Sequence, residues 1–360
     1  LLSVLYLTAI PSPYKVSFFN ELGKHCKLTV LFDKDKSNKR DNNWFDFNFD
    51  EFNGIILENN ISKLLSCFNK FKYDVIIVSN YSTKIGRFSV LFLSYLRIPF
   101  IISVDGGLID YDESFFKHIL KKKLISKANA WLSTGKATNN YLLYYGADKE
   151  YIYNYPFTTM KNKDILKQPL TMSEKEKIRA NLNIPYRNMI LSVGRFIHSK
   201  GFDTLIKAAK ELKEDTGIYI IGGDPTEELL DLKNRNEINN VHFINFQEYN
   251  ILKEYYLAAD LFVFPTRGDV WGLVINEAMA NGLPVVTTTS CVAGIEMVKE
   301  SVNGYLIPKD NVNLIVERTN SILNNERLRY HMSVKSIETA HEYTIEKMAK
   351  TTFDILANNY

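Results

Sequence analysis

Short, nearly continuous apolar runs recur along the chain: VLYLTAI, KLTVLF, DVIIVS, PFIISV and AWLST in the first half, then MILSV, GIYIIG, NVHFINF, DLFVFP and LPVVTTT. Longer polar stretches with helical spacing of their apolar residues lie between them. A run that is apolar at every position, and not at alternate ones, predicts a strand buried on both faces of a parallel sheet. Strands of that kind alternating with helices predict an α/β chain of doubly wound domains. At 360 residues and 46% hydrophobic composition the chain exceeds what one core usually supports, so two domains are expected. We place them at residues 1–160 and 170–338. The segment Asn154–Pro169, with Pro156 and Pro169, is the expected linker. Polar, helical sequence from Asn311 onward predicts closing helices, the last of which, over 340–360, crosses back to the first domain.

Charge and cysteine content narrow the setting. Cys26, Cys67 and Cys291 are odd in number and lack metal-ligand spacing, which argues against a disulfide framework or a zinc site and for a reducing cytoplasm. LLSVLYLTAIPSPYK has no basic leader and soon meets Pro11 and Pro13, so it reads as a first strand and not a signal peptide. The run Ser89–Val104 is interrupted by Arg97 and Pro99, short of the roughly 20 apolar residues a membrane span requires. Residues 1–170 hold 23 Lys and Arg against 16 Asp and Glu, and the remainder 21 against 25. A basic amino half suits an anionic surface such as a cytoplasmic leaflet, or is ordinary surface variation. No nucleic-acid-binding motif accompanies it, so no nucleic-acid partner is expected.

In doubly wound sheets ligands sit at the carboxyl ends of the strands, in the loops leading to helices. Four loops are informative. In DLFVFPTRGDVWGLVINEAMANGLPVV, a strand passes through a loop into a helix closed at Gly282. Gly272 permits close backbone approach, and the free N–H groups of Leu273 and Val274 in the following turn form an anion site suited to phosphate. Glu277, about a turn further on, can accept two hydrogen bonds from a vicinal diol such as a ribose, and Asp269 can reach a second hydroxylated group. In SVGRFIHSKG, Arg195 and Lys200, flanked by Gly194 and Gly201, can converge on a diphosphate. IIGGDPTEELL has no GxGxxG, which removes a nicotinamide fingerprint. There Gly222 and Gly223 either admit a nucleotide or make a turn, and Asp224 is expected to cap the helix. In AIPSPYKVSFFNELG, Ser12, Tyr14 and Lys15 lie where a ligand across an interdomain cleft could be met.

The stretch from VGRFIHSKGFDTLIKAAKEL through ADLFVFPTRGDVWGLVINEAMANGLPVVTTT to NGYLIP, roughly residues 189–310, resembles the retaining glycosyltransferases of family 4. That resemblance implies the GT-B fold: two facing Rossmann-like domains with a cleft between them. It implies a UDP-linked sugar donor, a diphosphate held by Arg195 and Lys200, a donor sugar met by Asp269, a ribose held by Glu277, and a base near Asn245 and Phe246. The implied activity is metal-independent transfer of a hexosyl or N-acetylhexosaminyl group, with retention, to a hydroxyl of a glycan or lipid-linked acceptor in surface-polysaccharide assembly. Two departures stand out. The family's first Glu is Asp269 here, one methylene shorter. The amino half has PSP in place of a glycine pair after its first strand, and SVDGG puts Asp105 where a His is common, making Asp105, Gly106 and Gly107 candidates to line the acceptor cleft.

Other readings compete. DKD at Asp33–Asp35 and DYD at Asp110–Asp112 have the spacing of a magnesium site, against a metal-free transferase. A sugar-nucleotide 2-epimerase of the same fold would turn over donor without acceptor, and a silent partner subunit would bind it without turnover. Finally, ESFFKHILKKKLISK, residues 113–127, places Phe115, Phe116, Ile119, Leu120 and Leu124 on one side of a helix with Lys117 and Lys121 beside them. This predicts either a peripheral contact with an anionic membrane or an ordinary core-facing helix.

Overall fold

The computed structural model describes residues 1–35, 48–68 and 73–360. The chain divides into two compact units, one of residues 1–159 with 343–360 and the other of residues 160–342.

The first unit runs β1 (Ser3–Thr8), α1 (Pro13–Gly23), β2 (Lys27–Phe32), β3 (Asn53–Ile56), α2 (Ile61–Cys67), β4 (Val75–Val78), α3 (Lys84–Tyr95), β5 (Ile101–Val104), α4 (Phe115–Ile125), β6 (Ala130–Ser133), α5 (Lys136–Tyr144) and β7 (Ile152–Asn154). Among the described residues its seven strands lie in the order β3-β2-β1-β4-β5-β6-β7, and the pairings between them are parallel. The central strands are buried along their length, as their unbroken apolar runs require. β3 and β7 were not among the expected strands. They are edge strands, and NGII and IYN are too short and too mixed to stand out as apolar runs.

The second unit runs α6 (Met172–Asn181), β8 (Asn188–Val193), α7 (Phe202–Ala209), β9 (Thr216–Ile221), α8 (Glu227–Arg235), β10 (Val241–Ile244), α9 (Tyr249–Ala258), β11 (Leu261–Phe264), α10 (Leu273–Ala280), β12 (Val285–Thr288), α11 (Val292–Met297), β13 (Gly304–Ile307), α12 (Val312–Leu323) and α13 (Glu326–Glu342). Its sheet, again all parallel, is ordered β10-β9-β8-β11-β12-β13. A final helix, α14 (Ile345–Asn359), belongs to the first unit, where it packs on α1 and stacks Phe353 on His25 at 5.5 Å. The chain therefore returns to its first unit after completing the second.

Both sheets reverse strand order at one point, between β1 and β4 and between β8 and β11. The second switch is fastened at its far end by a buried carboxylate. Asp260, just before β11, accepts hydrogen bonds from the Met189 amide at 2.9 Å and from Arg179 Nη2 at 2.6 Å. Burial opposes its charge, but Lys175 and Arg179 hold the carboxyl below the usual range. α6, which carries both cations, starts at a capping box in which the Thr171 hydroxyl accepts from the Glu174 amide and Glu174 accepts from the Thr171 amide.

Within the segment expected to link the domains, Tyr155, Phe157, Met160 and Ile165 are all buried. α8 begins after Thr226 and not at Asp224, so Asp224 is an exposed loop residue and not the cap. Among the described residues no helix is long and apolar enough to cross a membrane.

Candidate functional site

The loops after β8 and β11 lie at the carboxyl-terminal side of the second switch point, where a crevice opens in folds of this kind. Glycines let them approach. Gly201, at φ 67°, starts α7, and a Cβ there would come within 2.1 Å of the Pro265 carbonyl oxygen at the end of β11. Both the left-handed conformation and the contact therefore demand glycine. Gly222, after β9, packs so closely on the Gly194 carbonyl that a Cβ would fall 1.7 Å from it. The loop after β9 and the loop after β8 therefore meet at these two glycines, an approach that a side chain on Gly222 would block.

This approach brings Lys200 to Asp269. The Lys200 amine lies 2.5 Å from Asp269 Oδ2, with the two side chains only 15% and 17% exposed. It also sits 5.1 Å from the centre of the Phe264 ring. Arg195, on the same loop, is exposed. Lys200 is thus a partly desolvated cation already in contact with a carboxylate, whereas Arg195 stands in solvent.

Gly272 precedes α10 in the left-handed region, φ 99°, and a Cβ there would meet Cys291 Sγ at 2.5 Å. The first turn of α10, with Leu273 and Val274 half-buried, follows directly. A helix N-terminus of this type presents free N–H groups and the positive end of its dipole. Glu277 lies one turn on. Its Oε2 accepts a hydrogen bond from the buried Tyr256 hydroxyl at 2.9 Å, a contact from α9 that spacing along the chain gave no means to find. Burial pushes the Glu277 carboxyl up to about 7, against the lowering effect of Tyr256. Asn245 and Phe246 follow β10 directly, both exposed, with the Phe246 ring 60% open.

In the first unit, the corresponding strand ends gather a second polar group. Lys15 Nζ lies 3.0 Å from Asp105 Oδ2 and donates to the Thr8 hydroxyl at 2.8 Å. The Tyr155 hydroxyl donates to Asp105 Oδ1 at 3.2 Å. Ser12, just before α1, is buried, and Tyr14 meets Phe157 edge-on. Gly106 is half-buried, and Gly107 is buried, too close to Tyr141 to accept a Cβ. Lys15 and Asp105, ninety residues apart in sequence, are therefore one ion pair. Of the DxD carboxylates, Asp33 is buried and accepts from Asn80 Nδ2 at 2.6 Å, with burial raising its carboxyl to about 6. Asp110 accepts from the Asp112 amide, closing a local turn.

Residues 174–339, nearly the whole second unit, match the family model for group 1 glycosyl transferases. Over 299 residues the chain is 28% identical to an uncharacterized glycosyltransferase of Haemophilus influenzae, covering 77% of this chain and 82% of that one. It is 34% identical over 110 residues to the lipopolysaccharide glucosyltransferase WaaG of Escherichia coli, 29% of each chain. Its fold is similar to that of HepE from Anabaena, solved in complex with UDP and glucose, with a TM-score of 0.80 at 16% identity over 99% of this chain and 100% of that one. Together the fold and these matches support a glycosyltransferase of the GT-B class.

Proposed function

We propose that the chain is a retaining, metal-independent glycosyltransferase that moves a hexosyl or N-acetylhexosaminyl group from a UDP-sugar to a hydroxyl of a glycan or lipid-linked acceptor in surface-polysaccharide assembly. The observation that carries this reading is the Lys200–Asp269 ion pair, formed between the loops after β8 and β11 just before the N-terminus of α10, the helix that carries Glu277. The names of relatives supply the context: HepE was solved with UDP and glucose, and WaaG is a lipopolysaccharide glucosyltransferase.

In this reading the diphosphate lies between the α10 N-terminus, Lys200 and Arg195, the ribose diol donates to Glu277, and the base rests near Asn245 and Phe246. Asp269 faces the sugar. The acceptor oxygen attacks the anomeric carbon on the face from which the diphosphate departs. The bond to the β-phosphate oxygen breaks, and that oxygen takes the acceptor proton. Positive charge from Lys200, Arg195 and the helix stabilises the leaving group where a metal ion would otherwise act. Ser12, Tyr14, Lys15, Asp105, Gly106 and Gly107 are assigned to the acceptor.

A panel of UDP- and GDP-sugars, incubated with and without EDTA, tests this directly. We expect release of UDP from one UDP-sugar, unchanged by chelation. Activity lost with EDTA and restored by magnesium or manganese would return the DxD carboxylates to consideration. Conversion of the donor to an epimer with no UDP released, or binding with no turnover, contradicts the transferase.

The same reading puts the chain on the cytoplasmic face of a membrane, through α4. This helix has two apolar faces. Leu124 and Ile125 are buried, so Leu124 belongs to the core and not to the outward stripe expected from the sequence. Phe115, Phe116, Ile119 and Leu120 point outward at 71%, 83%, 44% and 41% exposure. Lys121 turns back to Glu113 at 2.6 Å, while Lys117, Lys122 and Lys123 are exposed. No acidic residue occurs between Ser114 and Ala147. Such a face suits an anionic leaflet, with the lysine ammonium groups at headgroup level. Co-sedimentation with phosphatidylserine vesicles is expected to weaken with salt and to be lost when Phe115 and Phe116 both become Ser. Equal binding to neutral vesicles contradicts it.

A further inference from the structure

Arg267 stands two residues before Asp269, where an arginine invites assignment to the diphosphate. Its bonding argues otherwise. Nη1 donates to the His198 carbonyl and to Asp203 Oδ1, each at 2.8 Å. Nη2 donates to Asp203 Oδ2 at 2.8 Å and lies 3.5 Å from the Thr204 hydroxyl. Nε donates to Asp310 Oδ1 at 2.6 Å. A guanidinium has five N–H donors, and these contacts engage all of them, leaving none for a ligand. The side chain is 17% exposed, so these bonds are partly shielded from water.

The acceptors belong to three segments. His198 lies on the loop that carries Lys200, Asp203 opens α7 immediately after it, and Asp310 follows β13. The main chain adds to the grip: the Arg267 amide donates to the Ser199 carbonyl at 2.7 Å, and the Thr266 hydroxyl donates to the same oxygen at 2.8 Å. Burial disfavours the Asp203 charge, yet Arg267 and Lys207 hold its carboxyl below the usual range, so the fork stays ionised on both sides. The loop bearing Lys200 is therefore clasped on both sides of Ser199 by the residues just before Asp269.

We propose that Arg267 is a positioning residue: its fork sets the Lys200 loop against the Asp269 loop and thereby builds the diphosphate subsite without touching the donor. The proposal rests on the UDP-sugar reading above. It gives the exposed Arg195 and the fully engaged Arg267 different roles.

Affinities for UDP and for uridine, measured by titration on wild type, Arg267→Ala, Arg267→Lys, Lys200→Ala and the Arg267→Ala/Lys200→Ala double variant, test it. Uridine reports the base and ribose contacts and UDP adds the diphosphate. Arg267→Ala is expected to weaken UDP tenfold or more while leaving uridine within twofold. Arg267→Lys, which keeps the charge but not the fork, should fall between. The double variant should bind UDP no more weakly than Lys200→Ala alone, because the clasp acts through Lys200. Should Arg267→Ala fail to fold, Asp310→Asn weakens one strut on the exposed side by removing its charge and should give a smaller loss in the same direction. Equal loss of uridine and UDP, additive loss in the double variant, or unchanged UDP affinity overturns the proposal. Wild-type protein that binds neither ligand overturns the donor reading itself, a pattern distinct from any of these.

Discussion

Lys200→Ala is expected to lower turnover about a hundredfold, a loss of roughly 3 kcal/mol in transition-state stabilisation, as when one preorganised donor is removed from a developing negative charge. The structure gives a reason for it to exceed Arg195→Ala. Lys200 is largely shielded from water and lies 2.5 Å from Asp269, so its removal also leaves that carboxylate uncompensated beside the departing diphosphate. Arg195 is exposed, and solvent screens its contribution. Steady-state kinetics on the two variants should show the larger fall in kcat for Lys200→Ala, with melting temperatures near wild type, because both residues stand on a loop. Equal and small effects would detach this loop from the leaving group.

Glu277 and Asp269 are expected to separate binding from transfer. Glu277→Gln keeps the shape but loses the charge that accepts the diol, a change of about 1.5 to 3 kcal/mol, or roughly ten- to a hundredfold in UDP affinity. Asp269→Asn should leave UDP affinity intact or modestly stronger, because it releases Lys200 toward the diphosphate, while sugar transfer falls. The pH dependence follows from the Glu277 carboxyl at about 7 in the free protein. A diol that donates to the ionised form binds best above that value. UDP affinity should therefore be flat on the alkaline side and decline below pH 7 by at most about tenfold per pH unit. Tyr256→Phe removes the hydroxyl that favours the ionised form, so the decline should begin at higher pH. Glu277→Gln should abolish it.

The parts legible in the sequence were those fixed by local pattern. Unbroken apolar runs marked the central strands, and DLFVFPTRGDVWGLVINEAMANG showed strand, loop, glycine and helix in order, so Gly272 and Glu277 could be placed relative to each other from helix geometry alone. Sequence pattern groups Lys200 with Arg195, five residues away, because both are cations on one loop. Its partner in the fold, Asp269, is 69 residues distant, and only the β8–β11 adjacency brings them together. Tyr256 and Arg267 give no sequence signal for the same reason: a tyrosine in an apolar helix and an arginine in a polar loop are unremarkable until their partners are known. The edge strands β3, β7 and β13, three or four residues each, carry too little apolar sequence to announce themselves. In α4 the helical spacing was visible, but not which of its two apolar arcs the core would take.

The most direct measurement is calorimetric titration of UDP into wild type, Glu277→Gln and Asp269→Asn at pH 8, where Glu277 is ionised. The account predicts saturable binding to wild type, at least about tenfold weaker binding to Glu277→Gln, and undiminished binding to Asp269→Asn. Undiminished binding to Glu277→Gln together with its loss in Asp269→Asn would contradict the assignment of the two carboxylates, and with it the nucleotide-sugar site built around them.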